Sequence, residues 1–521
     1  MPTPKSILNH VLGPVMRGPS SSHTAGAYHI ATVARSLLGG PPARATVTFD
    51  PSGSYAVCYR RQKADLAFAA GLLGWPLTDD RFEGALQAAE DAGVAVRFEV
   101  AALQAADHPN AVDLAMEAGD GRSLRARAKS VGGGAVVLTR IDGWPVHLTG
   151  ESYAVLVEAD PPAADAGAEA LAADGALLSP TERQAGDDTV LLTARRRAAL
   201  DPQALESLRA MSGVRRVWAA EPVYFVQAGE PLFASAAEMV ARCETRGESL
   251  GEAALAYEAA LLHVPPEEVL AEISRRLGVM ADAVETGLGD APPPMHLLEP
   301  SAGQVMQAEA EGRLAGGGLG ARAAARALAA MHVSAGSGVV CAAPTGGAAG
   351  VLPGVLETWR RDRGLDDAGA ARALLAAGAV GLVIATRATF AAEVAGCQVE
   401  IGAAGAMGAA ACVEAAGGSA RAACDAAAIA LQNAMGSVCD LVQGICEIPC
   451  HTRNAAAAAG AFVCADLVLG GYANPVPLDE TVDATLAVGR MLPAELRCTA
   501  LGGLAQAPSA KAMRLREESD T

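Results

Sequence analysis

The spacing of polar and apolar positions changes character twice along this chain. Up to about residue 150, short runs that alternate or stay apolar (45–50, 94–100, 135–141 and 145–148) are interleaved with stretches of helical spacing at 27–38, 65–73 and 82–92. A period of two marks strands and a period near 3.6 marks helices, so residues 1–150 are expected to form an α+β domain. From 152 to about 223 the order becomes strand (153–158), helix (164–173), strand (176–181), strand (189–194), helix (202–211), strand (214–219). That βαββαβ order predicts a ferredoxin-like middle domain over 151–224. Beyond Gln227 the spacing is almost purely helical, at 234–246, 250–262, 266–277 and 279–286, and after a Gly/Pro-rich connector at 288–294 the chain becomes dense in Ala and Gly. Small residues of that kind let helix backbones approach closely, so 225–521 is expected to be all-α.

Composition narrows the possibilities. A chain of 521 residues exceeds what one core supports, which agrees with several domains. The net charge of −18 and the absence of any basic block argue against a nucleic-acid partner. Residues 327–356 contain no Asp, Glu, Lys or Arg, but Gly, two Pro and His332 interrupt them and Ala and Val dominate. They are read as buried helices and Gly-rich turns, not as a membrane span. Residues 1–12 show no signal-peptide core, and eleven cysteines without a secretory segment fit a reducing compartment, so a cytoplasmic protein is expected.

Eight of the eleven cysteines lie from Cys397 onward. Cysteine in an Ala-rich helical region is ordinarily core filling, yet Asp440, Glu447, His451 and Arg453 are interleaved with Cys439, Cys446 and Cys450, and charges inside an apolar domain need partners. The spacing matches neither ferredoxin run and contains no paired CxxC of a zinc site. In the first domain, residues 18–26 read GPSSSHTAG ahead of a helix, a place where hydroxyls and amides either cap the helix or receive an anion. His108-Pro109-Asn110 forms a second polar knot there.

The wording of these segments is specific. GCQVE (396–400), CDLVQGICEIPCHTRN (439–454), GPSSSHTAG (18–26), SVGGG (130–134), CAAPTGGAAGVLPGV (341–355) and LGGLA (501–505) resemble, in order, the iron-sulfur-dependent L-serine ammonia-lyases, or L-serine dehydratases. The resemblance implies a [4Fe-4S] cluster held by Cys397, Cys439 and Cys450, with Cys446 and Cys341 left as core thiols. It implies a catalytic histidine at His108, with His23 as the alternative, and substrate binding by Ser20, Ser21, Ser22, Thr24 and Asn454. It further implies an ACT-type middle domain, although the turn Ala159-Asp160-Pro161-Pro162 lacks the Gly usual in effector-binding members, so a structural or dimerising role is as well supported. The expected partner is a small amino-acid substrate, with no nucleic acid and no membrane, and a homodimer is the default assembly.

Two features qualify the match. Where the family reads Gly-His-Gly-Thr-Asp this chain reads Arg61-Gln62-Lys63-Ala64-Asp65, and Gln62 cannot titrate near neutrality. The tail from 506 is polar, expected to fray, and has no cysteine to occupy a cluster. Elimination from cysteine or threonine, or a decayed amino-acid sensor, therefore stand as alternatives to L-serine. Pyridoxal chemistry is disfavoured: there are four lysines, and Lys129 sits beside Gly132-Gly133-Gly134, whereas in pyridoxal dehydratases the lysine and the phosphate loop are far apart in sequence.

Overall fold

The computed structural model describes residues 4–516. Its N-terminal part is a six-stranded sheet in the order Ala95–Val100, Arg44–Phe49, Ala111–Glu117, Ser123–Gly132, Ala135–Ile141, Trp144–Leu148. The first pair is parallel and the remainder antiparallel. Helices Gly26–Leu38 and Ala64–Leu73 bury Ile30, Ala34, Leu37, Phe68 and Leu72 with the sheet residues Val47, Phe49, Leu114 and Leu138. Four strands occur where the hydropathy pattern predicts them; the two central ones, at 111–117 and 123–132, were not expected. Both alternate in burial, but their inward positions include Ala126 and Ala128 and their outward ones Arg125, Arg127 and Lys129, which mutes the apolar signal.

A second, four-stranded antiparallel sheet has the order Val214–Ala220, Tyr153–Ala159, Val190–Arg196, Glu182–Ala185, with helices Ala164–Ala172 and Pro202–Ala210. The βαββαβ order is thus present, with one shift: the third element lies at 182–185 instead of 176–181. Pro180 has no N–H to give a ladder, and Leu177 makes only a single bridge to Arg196, so the polar Glu-Arg-Gln-Ala run takes the edge position. Alternation divides the strand at 153–159 between two cores. Val155 and Val157 pack under the helices of this sheet, while Ala154 and Leu156 join the N-terminal core beside Trp218.

The rest is helical. Residues 266–288 form one helix where the spacing suggested two, and helices Gly318–Ala335, Val351–Arg363, Asp367–Arg387, Ile401–Ala415, Ala420–Ala434 and Cys450–Leu469 form the largest core. Small residues set their approach: a Cβ at Gly354 would stand 2.6 Å from the Ala323 carbonyl oxygen. Residues 327–356 resolve into the expected helices and turns with one strand, Val339–Cys341, that was not expected, and 367–387 is the one described helix apolar and long enough to cross a membrane; 83% of its most apolar window is buried. The tail does not fray through residue 516: Gln443 Nε2 donates to the Met513 carbonyl at 2.6 Å and Arg516 N to that of His296 at 2.8 Å. Residues 517–521 of that tail lie outside the described chain.

Among the contacts that knit the sheet-rich and helical parts, two lie at the start of the chain. Strand Val15–Arg17 pairs antiparallel with Val339–Cys341. The short helix Ile7–His10 puts Ile7, Leu8, Val11 and Leu12 into the helical core, and its free N-terminal amides at Ile7 and Leu8 donate to Glu258 at 2.7 and 2.9 Å.

Candidate active site and metal centre

The thiols converge. Cys397 opens a short turn after the helix Ala392–Ala395, Cys439 lies in an extended segment, and Cys450 starts the long helix Cys450–Leu469. All three are buried. The Sγ atoms of Cys397 and Cys439 and a carboxylate oxygen of Glu400 lie within 4.8 Å of one another. Cys446 Sγ is 3.6 Å from Cys450 Sγ. Hydrogen bonding between Cys397 and Cys439, and then burial, pushes the Cys397 thiol well above its ordinary range; the Cys450 contact and burial do the same to Cys446. Thiols crowded in this way cannot all ionise unless a cation is among them, and the donor set fits a thiolate-bound metal group.

Charge around the sulfurs is arranged to match. Arg453, one turn into the long helix, reaches back so that Nη1 donates to the Val438 carbonyl at 2.6 Å and stands 3.6 Å from Cys397 Sγ, while Nη2 donates to Asp440 at 2.9 Å. Asp440 in turn accepts from Leu504 N at 2.7 Å, which holds the LGGLA segment over the site. Glu447 accepts three backbone N–H bonds, from His296, Leu297 and Leu298 at 2.7–2.9 Å, so that acid serves the loop around the thiols.

The Ser-rich loop reaches the same place. A Cβ at Gly346 would stand 2.9 Å from Pro19 O and Ser21 N, and one at the next residue, Gly347, would stand 3.4 Å from Cys446 Sγ and 3.8 Å from Glu400. Within the loop, 21–25 form a π-helical turn, with Ala25 N donating to Ser20 O, and Ser20 Oγ accepts from His23 N at 3.2 Å. The Ser20 hydroxyl is therefore a helix cap. Ser22 Oγ is 2.9 Å from His23 Nδ1, and Ser54 Oγ is 3.0 Å from His23 Nε2. Burial pushes His23 down to about 4, against the opposing pull of Glu393, so the ring is neutral. Thr24 Oγ1 donates to the Gln62 carbonyl at 2.8 Å, tying the loop to the segment that departs from the family pattern. Ser21 is buried, with its amide against Gly346.

His108 is half-buried. Its Nδ1 accepts from Asn110 N at 3.1 Å, which leaves the proton of a neutral ring on Nε2. Burial lowers its pKa, with Glu393 opposing. Lys129 is fixed beside it by Asp107 at 2.6 Å. Asn454, read as a substrate ligand, is spent otherwise: Nδ2 donates to Gly347 O at 2.8 Å and Cys450 O at 2.9 Å, and Oδ1 accepts from Gly350 N at 3.1 Å. It positions the glycine loop against the thiols. Cys341 is a core thiol, bonded to the Leu12 carbonyl; Cys446 is buried too, but stands among the converging sulfurs.

Three members of the site had no prediction. Glu393 accepts from Asn110 Nδ2 at 2.5 Å, joining the two halves of the chain. Burial, then Glu393, pushes Glu400 up to about 8. Cys498, in a left-handed backbone conformation with φ 60°, donates its N–H to the Cys439 carbonyl at 2.9 Å. A charged residue three or four positions from a candidate thiol was the available signal for the first two; nothing local marks Cys498.

Buried thiols close to a loop bearing a histidine and hydroxyls form a cysteine-rich group with the donors a metal site needs. The sequence model of the family described as serine dehydratase alpha chain matches residues 198–505. This chain belongs to that family. It is similar to the "Probable L-serine dehydratase, alpha chain" of Bacillus subtilis, 34% identical over 280 residues, which are 54% of this chain and 93% of the relative. It is likewise similar to the "L-serine dehydratase, alpha chain" of Peptoniphilus asaccharolyticus, 34% identical over 281 residues, 54% of this chain and 96% of the relative. The "Probable L-serine dehydratase, beta chain" of Bacillus subtilis is 40% identical over 147 residues, 28% of this chain and 65% of that one.

Proposed function

We propose that this chain is an L-serine ammonia-lyase that removes water from L-serine at a [4Fe-4S] cluster held by Cys397, Cys439 and Cys450. The observation that carries the reading is the meeting of the Ser-rich loop with the thiols through Gly346 and Gly347. The relatives named above are serine dehydratases, and similarity to both an alpha and a beta chain supports a single chain combining the two. With three protein thiolates, the cluster would keep one iron free to act as a Lewis acid toward the departing hydroxyl.

The chain's own residues supply the remainder. Backbone amides and hydroxyls of Ser21 and Ser22, at the start of a helix, receive the substrate carboxylate. A neutral histidine takes the Cα proton. The hydrogen bonds rank His23 ahead of His108, since the free nitrogen of His108 already carries its proton whereas His23 faces a hydroxyl on each side and can accept at one of them. Loss of the proton and of hydroxide gives aminoacrylate and water; its imine tautomer hydrolyses to pyruvate and ammonia. The βαββαβ domain is proposed as an ACT-type module with a structural role. Anaerobic purification with iron and sulfide counts, alongside pyruvate formation from L-serine, L-threonine and L-cysteine, tests the reading. A colourless, iron-free protein, or turnover confined to another amino acid, would overturn it.

A further inference from the structure

An amino acid carries two opposite charges at neutral pH, and the Ser-rich loop addresses only the negative one. On the facing wall, Glu393 is 6% exposed and Glu400 lies close enough to feel its charge. Among the described residues no Arg or Lys comes within ion-pair distance of either carboxylate. Buried carboxylates elsewhere in the molecule are compensated: Glu357 is paired with Arg360 and Arg361, and Glu258 is surrounded by donors. Glu393 receives one hydrogen bond among the described residues, from Asn110 Nδ2.

That bond also sets the Asn110 amide. With Nδ2 turned to the carboxylate, Oδ1 is the acceptor left over, and on this fully buried residue it has no partner among the described residues. A carboxylate and an amide oxygen side by side thus both call for a donor, and only the carboxylate calls for a positive charge. An ammonium group has three N–H donors and one charge. The pair adjoins both candidate histidines, His23 and His108, each of which feels the Glu393 charge.

We propose that Glu393 and the Asn110 side-chain oxygen bind the α-ammonium group of the substrate and so select α-amino acids over hydroxy acids of the same size. This rests on the lyase reading above. The competing account is a plain latch, in which Glu393 and Asn110 only tie the two halves of the chain together.

Substitutions separate the two. Glu393→Gln keeps the length and can still accept from Asn110 but loses the charge; Glu393→Asp keeps the charge and shortens the reach. An ammonium site ranks Asp above Gln, whereas a latch ranks Gln above Asp. The measurements are KM for L-serine and the inhibition constant of 3-hydroxypropanoate, which lacks the ammonium, on anaerobic enzyme with matched iron content. Glu393→Gln is expected to raise KM for L-serine about 10- to 100-fold, the worth of a charge-assisted hydrogen bond, while inhibition by 3-hydroxypropanoate shifts less than about threefold. Direct titration of L-serine by calorimetry should show the same loss of affinity. Parallel weakening of both ligands, an unchanged KM, or Gln outperforming Asp overturns the proposal. If the wild-type enzyme does not act on L-serine, the lyase reading has failed instead, and the calorimetric comparison of the two ligands still reports whether an ammonium is recognised.

Discussion

Gly346 faces Pro19 so closely that a methyl group on its Cα would stand 2.9 Å from the Pro19 carbonyl oxygen and as close to the amide of Ser21. Both neighbours are backbone and cannot swing aside. Gly346→Ala should push the Ser-rich loop away from the thiols and lower kcat/KM at least about tenfold, as misplacements of about an ångström do. Iron content should hold, since the atoms nearest that methyl group belong to Pro19 and Ser21. A variant of normal activity would mean that the loop does not serve the reaction.

Serine in place of Cys397, Cys439 or Cys450 should each abolish most bound iron and the broad visible absorbance. Cys412→Ser should leave both in place, because Cys412 sits near the far end of helix Ile401–Ala415 beside Trp359 and Cys464. Cys446→Ser is the sharper control: its sulfur is 3.6 Å from that of Cys450, yet iron should be retained. Iron and sulfide counts after anaerobic purification decide all five.

Arg453 offers one N–H toward Cys397 Sγ and two more to Val438 and Asp440. Replacement by Met removes the compensating charge and the fork that fixes the 438–440 segment. Supporting residues of this kind change metal affinity about 10- to 100-fold. Arg453→Met should load with iron anaerobically but bleach at least about tenfold faster in air, followed by visible absorbance; equal bleaching rates would count against it.

The two histidines divide by their hydrogen bonds. His23→Gln should abolish exchange of the Cα hydrogen of L-serine with solvent deuterium together with turnover, a loss of at least about a hundredfold for a general base. His108→Gln should reduce turnover less and raise KM. Proton NMR of the recovered substrate reads the exchange, and the reverse order would restore His108 to the role.

Burial also holds His29 down to about 4 from 6.5, partly offset by its bond to the Gly134 carbonyl at 2.9 Å. Its folded pKa is below the unfolded one, so between about pH 6.5 and 4 the unfolded chain binds a proton that the folded chain does not. Stability should therefore fall as pH drops through that window, by up to about 1.4 kcal/mol per pH unit from this ring. His29→Gln should flatten the fall. Thermal midpoints from pH 7.5 to 5 provide the check, and identical slopes would show that the ring titrates normally.

Much of this was readable in the residues themselves. Wherever a face was strongly apolar, as at 135–141 or 250–262, period and element agreed; the strands at 111–117 and 123–132 escaped because alanine marks an interior position too faintly beside arginine. The thiols stood out by their charged company. Glu393 and Cys498 did not, and Asn110 was noticed only beside His108, because each matters through a partner remote in the chain: the Asn110–Glu393 bond joins residues 283 positions apart. Asn454 is a polar residue in a telling motif whose amide hydrogens go to the backbone it steadies, which only the fold reveals.

Strand Val15–Arg17 finds its only described ladder partner in Val339–Cys341, and the apolar side chains just before it find cover among the helices. The ribosome delivers the first strand long before the second, so the residues leading into the Ser-rich loop gain their neighbours only when most of the chain has been made. The reactive cleft thus needs both ends of the polypeptide, and a chain halted midway would lack a working eliminase.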